Sequence, residues 1–267
     1  TFEVATNDLA VRDFLDEVTA AFPPGGAGTA ARHELILADG GYVVRYNGAT
    51  VLTASVRDVA VSALLWHINS EVIGRSDGHY PLIHAGAVVA RDVAVVLPAA
   101  PESGKTTTVG GLLRAGFGYL TDEAVAIDPE TLLAQPYPKA LSVDSGSWEV
   151  LADLRPEHTS LVSGQWQVPP AAVRTDAVAG PAPVRFVVSP RYRAGAETRL
   201  EPMAPADTLM VLADSTFNFR DHPGRDLAVL TRLVEGADGY RLTIGDLETA
   251  VTLVSDLVGS EQLDVAE

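Results

Sequence analysis

A chain of 267 residues with 35 acidic against 19 basic side chains has a formal net charge of −16, which excludes broad nucleic-acid binding from the expectations. The absence of cysteine excludes a disulfide framework and thiol chemistry. With 47% hydrophobic residues, no basic–apolar leader and no apolar run long enough for a bilayer, the chain reads as cytoplasmic and off the membrane.

Asn7-Asp8 is a cap signal for a helix with Leu9, Phe14, Val18 and Phe22 on its apolar face, ended by Pro23-Pro24-Gly25-Gly26. Residues 33–38 and 42–46 flank Asp39-Gly40-Gly41 as a hairpin, and 51–55 adds a strand. A helix is expected over 57–73, with Val59, Ala63, Leu64, Trp66, His67 and Ile68 mostly inward. These elements form a small α+β unit, so the expected division is 1–75 and 76–267.

Residues 82–90 and 93–97 are apolar strands around Arg91-Asp92. The second runs into Ser103-Gly104-Lys105-Thr106-Thr107, and a helix follows to about residue 114, stopped by Ala115-Gly116. Residues 117–120 form a short strand ending at Thr121-Asp122-Glu123, beside the strand that leads to the lysine. Another strand covers 125–127, turned by Asp128-Pro129-Glu130. The stretch 142–183 is irregular and proline-rich, and reads equally as a lid or as a surface insertion. Beyond it come a buried strand at 184–188, helices at 207–213 and 225–234, and a strand at 240–244. The last helix, 246–258, carries a Leu247, Val251, Val254, Val258 stripe. The fold class is α/β: a mixed sheet flanked by helices, with the N-terminal unit packed on it.

A strand, a Gly-Lys-Thr turn and a helix form the setting of a P-loop. Its backbone N–H groups wrap phosphates, its lysine reaches the β and γ oxygens, and its hydroxyl takes Mg²⁺. On that reading Ala100, Pro101, Glu102, Ser103, Gly104, Lys105, Thr106 and Thr107 bind nucleotide. Ala99 stands where the pattern has its first glycine, which restricts any positive φ there, and Glu102 brings negative charge to a phosphate site. Asp122-Glu123 can hold Mg²⁺ or take a proton from an attacking hydroxyl. His84 can orient Asp122 and tune its pKa.

His84-Ala85-Gly86, the hairpin, Gly104-Lys105-Thr106-Thr107 and 116–123 (Gly-Phe-Gly-Tyr-Leu-Thr-Asp-Glu) together resemble the HPr kinase/phosphorylase catalytic domain. They resemble more closely the HPr-kinase-like proteins of bacterial peptide-modification clusters, lasso-peptide clusters among them. Pro136 to Leu141, Gly146-Ser147-Trp148, Pro190-Arg191-Tyr192-Arg193 and 215–219 (Ser-Thr-Phe-Asn-Phe) also resemble those relatives. The resemblance runs from about residue 82 to the C-terminus. It implies a P-loop kinase fold of the HPr kinase and phosphoenolpyruvate carboxykinase type, using ATP and Mg²⁺ to phosphorylate a serine hydroxyl of a small protein or peptide, such as a natural-product precursor. By position, Lys105 holds the β and γ phosphates, Thr106 and Glu123 serve the metal, Asp122 is the base, and His84 is its neighbour. Lys139, Arg191 and Arg193 are further cations for phosphate or substrate.

No Glu-Ile-Arg-Gly signature is present, which argues against HPr itself as the acceptor. The altered loop also leaves open a non-catalytic module that binds a peptide or partner protein. An ATPase with Asp122-Glu123 as its Walker B acids is a third reading. Neither the acceptor nor the oligomeric state is set by the sequence, and a homo-oligomer is allowed.

Overall fold

The computed structural model describes residues 1–25, 30–76, 78–100, 102–217 and 219–264, with side chains as far as 260. The N-terminal elements are β1 (Phe2–Thr6), α1 (Leu9–Thr19), β2 (Ala31–Ala38), β3 (Gly41–Tyr46), β4 (Ala49–Ala54) and α2 (Arg57–Ser76). Asp8 caps α1, its Oδ1 accepting from the N–H groups of Ala10 at 3.0 Å and Val11 at 3.3 Å. The buried face is Val11, Phe14, Leu15 and Val18, while Leu9 points to solvent. The four strands form one sheet in the order β1-β2-β3-β4, with β1 parallel to β2. The β2–β3 turn needs its glycines: Gly41 has φ +150°, and a Cβ there would stand 2.4 Å from the Ala54 carbonyl oxygen. Gly26, part of the expected helix stop, lies outside the described residues.

Helix α2 buries Ala60, Val61, Leu64 and Ile68. Val59 and Trp66, expected inward, are exposed, Trp66 at 71%. The helix is apolar around most of its circumference, so spacing alone could not choose the inward face.

The larger layer begins with β5 (Leu82–Ala90), β6 (Val93–Pro98), α3 (Lys105–Arg114), β7 (Gly118–Thr121), β8 (Ala124–Ile127) and β9 (Leu133–Gln135). It continues with β10 (Leu141–Asp144), β11 (Gln165–Val168), α4 (Pro170–Val173), β12 (Ala182–Tyr192) and β13 (Arg199–Met203). It ends with α5 (Pro205–Asp214), α6 (Pro223–Glu235), β14 (Asp238–Ile244) and α7 (Leu247–Asp264). The sheet order is β13-β14-β12-β6-β5-β8-β9, with β7 also on β5. Strands β6, β12 and β14 are parallel, and β5 and β13 run against their neighbours, so the sheet is mixed. The end of β9 returns to the start of β12, closing part of the sheet into a ring of pairings.

Alternation along β6 splits the core. Val95 and Leu97 pack with Val109, Leu112 and Leu113 of α3 and with Val254 of α7. Ala94 and Val96 face the other way, towards Leu212 of α5 and Leu230 and Leu233 of α6. A strand buried on both faces reads as an unbroken apolar run, as 93–97 does. The resulting architecture is α/β with a mixed sheet flanked by helices. Among the described residues no helix is long and apolar enough to cross a membrane.

Of the two readings of 142–183, lid or surface insertion, neither anticipates that much of the stretch packs into the core. Strands β10 and β11 pair antiparallel, and Trp148 stacks on Trp166 with centroids 5.0 Å apart. Leu151, Leu154, Trp166 and Val168 join the α3 side of the core. Their irregular spacing carries no period to read.

Candidate active site

Among the described residues of the loop between β6 and α3, two have positive φ, Glu102 at +62° and Gly104 at +89°. Ala99 is not one of them, so its lost glycine leaves the backbone unstrained, and the strain falls on Glu102 instead. Gly104 caps α3, and its carbonyl accepts from both the N–H and the hydroxyl of Thr108, at 2.9 and 2.8 Å. From the far side, the Tyr192 N–H donates to the Ser103 carbonyl at 2.9 Å and pins the loop to the end of β12. The Ser103 hydroxyl is buried and has no hydrogen-bond partner among the described residues. Ala100 and Glu102 are exposed, and Pro101 lies outside the described residues.

Lys105 opens α3 and is only 8% exposed. Burial lowers its pKa, while the charges of Glu123 and Asp122 push the other way. Gly86 gives it room: a Cβ there would stand 2.6 Å from Val109 Cγ2 and 3.4 Å from Lys105 Cγ. The Thr106 hydroxyl donates to Asp122 Oδ2 at 3.3 Å. The Thr107 hydroxyl instead meets that of Ser147, in the short 3₁₀ turn after β10.

Asp122-Glu123 sits in the break between β7 and β8, both of which pair with β5. The acids are therefore not on a strand beside β6, as expected; β5 intervenes. Ala85 pairs with Pro98 on one side and donates its N–H to the Glu123 carbonyl at 3.2 Å on the other. The end of β6 and the acid pair thus lie at one level of the sheet. The Thr121 hydroxyl accepts from the N–H groups of Glu123 and Ala124 and fixes the break.

Asp122 is 2% exposed. Lys139 Nζ lies 2.8 Å from its Oδ1, and the Ser142 N–H donates to its Oδ2 at 3.0 Å. The Tyr119 hydroxyl lies 3.1 Å from Oδ1 and 2.9 Å from the Lys139 carbonyl oxygen, two acceptors for one proton. Burial alone would raise the carboxyl pKa. The Lys139 charge, with hydrogen bonds from Lys139, Ser142 and Tyr119, overcomes that, and the pKa is lowered. Burial and the nearby Asp122 charge hold the Tyr119 hydroxyl protonated.

Glu123 is the more open acid, with Lys139 Nζ at 3.9 Å from one oxygen and His84 Nε2 at 4.0 Å from the other. Burial, then the Lys105 charge, drives the His84 pKa from 6.5 down to about 4, although Asp122 pulls it up. The imidazole is therefore neutral at pH 7, and its approach to Glu123 is not an ion pair. Between pH 6.5 and about 4 the unfolded chain carries a proton on His84 that the folded chain lacks, so stability falls as pH drops through that window. The loss from this group reaches about 3 kcal/mol at the bottom of the window. Urea midpoints should show the slope in the wild type and a shallower one in His84→Gln, where the burial-lowered His33 still contributes. A His84 imidazole that titrates near 6.5 by NMR would contradict the burial argument.

The structure brings His84, Lys105, Thr106, Asp122, Glu123 and Lys139 together. Arg191 and Arg193 stand apart from the acids, exposed on either side of Tyr192 at the end of β12. Sequence reasoning missed Tyr119 and Ser142, which hold Asp122. It also missed Tyr137, whose hydroxyl donates to Asn69 Oδ1 of α2 at 2.9 Å and ties the N-terminal unit to the segment bearing Lys139. Only the position of Tyr119, three residues before Asp122, was a local signal. Among the described residues no group of three or more His, Asp or Glu is arranged to hold a metal by itself.

No family model matches the chain, and no curated protein matches it. Among solved structures, the Hpr(Ser) kinase/phosphatase from Coxiella burnetii overlays with a TM-score of 0.36 at 15% identity, over 70% of this chain and 99% of that chain. A likeness of that size carries no weight for fold or function; the geometry of the site has to carry the functional reading.

Proposed function

We propose that the chain is a P-loop phosphotransferase that moves the γ-phosphoryl group of ATP to a serine hydroxyl of a small protein or peptide. One observation carries this reading: buried Lys105 and half-buried Thr106 open a helix behind a left-handed glycine, within reach of buried Asp122 and its Lys139 partner. The orphaned Ser103 hydroxyl in that loop is the kind of donor that a phosphate oxygen satisfies.

The loop amides and the positive end of α3 face the phosphates, and Lys105 meets the β and γ oxygens. Thr106 and Glu123 offer hard oxygen donors, which suit Mg²⁺ completed by substrate phosphates and water rather than by a protein cage. When bound, that ion neutralises charge on the transferring group. The acceptor oxygen bonds to the γ-phosphorus as the bond to the β–γ bridging oxygen breaks. The hydroxyl proton passes to Asp122, and ADP leaves. A loose transition state releases the proton late, so the position of Asp122 counts for more than its basicity. Its longest contact, to Thr106 at 3.3 Å, is the first to give way to an acceptor.

Radiolabelled ATP with Mg²⁺ and serine-bearing peptides tests this. Label on peptide serine with the wild type, and about 10²–10⁴-fold slower labelling with Asp122→Asn, is the expected result. Phosphate release without any acceptor would point to an ATPase instead.

A second reading, a partner-binding module without catalysis, is favoured by one feature: an exposed carboxylate at Glu102, strained at φ +62° in the phosphate loop. The strain belongs to the fold of the free chain, so relieving it acts on stability, whereas the charge acts on affinity. Glu102→Gly should therefore raise stability by about 1 kcal/mol. It should also tighten ATP binding by roughly fivefold, less so at high salt. Glu102→Gln should reproduce the affinity gain without the stability gain. Equal ATP affinity in all three proteins would remove the charge argument.

A further inference from the structure

The polarity of a bound triphosphate defines a second subsite at the end of β12. This step rests on the reading of the 99–107 loop as a triphosphate site. In the sheet, β6 delivers that loop, with β5 and β8 on one side and β12 and β14 on the other. His84, Asp122, Glu123 and Lys139 all belong to the β5 side. A γ-phosphate presented to them sends the α-phosphate, ribose and base the other way, across Gly104 towards the end of β12.

The residue waiting there is Tyr192. Its N–H holds the Ser103 carbonyl at 2.9 Å. Its Cβ is 3.4 Å from where a Cβ on Gly104 would stand, so the side chain leaves the backbone against the loop itself. Yet the residue is 56% exposed, a large aromatic that the core does not cover. Arg191 and Arg193 flank it, also exposed, and neither has an ion-pair partner among the described residues. In a chain of net charge −16, two unpaired arginines and an open aromatic ring beside a phosphate loop form a local exception with matching chemistry: a planar base and the anion attached to it.

We propose that Tyr192 is the face on which the nucleotide base stacks, with Arg191 and Arg193 serving the α-phosphate end. Stacking reads no hydrogen-bond edge, so the subsite recognises a nucleoside triphosphate as a class and treats adenine and guanine alike.

Calorimetry with Mg²⁺ complexes of ATP, GTP and inorganic tripolyphosphate tests this on the wild type, Tyr192→Ala and Tyr192→Phe, each checked for folding by thermal melt. Tyr192→Ala should weaken ATP and GTP by about tenfold while leaving tripolyphosphate unchanged, and Tyr192→Phe should bind like the wild type. Tripolyphosphate also controls for damage to the loop: a variant that weakens all three ligands equally overturns the stacking role. A wild type that binds tripolyphosphate as tightly as ATP overturns the subsite but keeps the phosphate loop. A wild type that binds none of the three overturns the loop reading and the subsite with it.

Discussion

Asp122→Asn should destabilise the fold by roughly 3 kcal/mol, because it strands a buried cation. Lys139 is 14% exposed at its side chain and 2.8 Å from Asp122 Oδ1. Its remaining partners are the Ala140 carbonyl and the Ser142 hydroxyl, both at 3.0 Å, with Glu123 at 3.9 Å. Those acceptors soften the loss without replacing a full charge. Urea unfolding should show the drop, and Asp122→Asn/Lys139→Met should recover part of it, since removing both charges removes the stranded one. The pH dependence has the sign of a depressed carboxyl. The stability that Asp122 contributes is present above the ordinary value of 3.8 and is lost as pH falls through the lower folded value. At a temperature where the variant stays folded, peptide phosphorylation should also fall by about 10²–10⁴-fold, while ATP still binds. A stability change without a rate change would leave Asp122 as scaffold alone.

Lys105→Met should separate binding from folding. The side chain is almost fully buried, and burial lowers its pKa, so the free protein holds this cation at a penalty. Methionine keeps the stem that packs beside Gly86 and removes the charge, so the melting temperature of the free protein should hold or rise. ATP affinity should fall by about 100-fold or more, the loss of charge-assisted hydrogen bonds to phosphate in a desolvated site. A variant that loses stability and keeps its ATP affinity would place Lys105 in the core rather than in a nucleotide site.

What the sequence revealed was local. The strand, loop and helix around Lys105 are consecutive, and their apolar runs and glycine need no distant partner to be read. The caps at Asp8 and the turn at Gly40-Gly41 belong to the same class. His84 and Asp122 fall near Lys105 because two strands and one short helix leave little freedom of placement. What escaped was non-local or degenerate. Lys139 on Asp122 and Tyr137 on Asn69 are pairings across long stretches of chain that no period announces. The intervening β5 and the β9–β12 closure depend on strand order, which spacing does not encode. On helix α2 the inward reading holds for Leu64 and Ile68 but not for Val59 and Trp66, because apolar residues surround the helix. The loop strain was assigned to the missing glycine at Ala99, whereas the backbone places the left-handed residue at Glu102. A motif position shows which residue departs from a pattern; only the chain's own φ shows which residue bears the strain.

Everything proposed for this chain depends on the 99–107 loop holding a nucleoside triphosphate. Calorimetric titration of the wild-type chain with ATP and Mg²⁺ at low salt decides it. One saturable site per chain, weakened by about 100-fold or more in Lys105→Met with no drop in melting temperature, is the expected result. A folded wild-type chain that gives no heat of binding would contradict it.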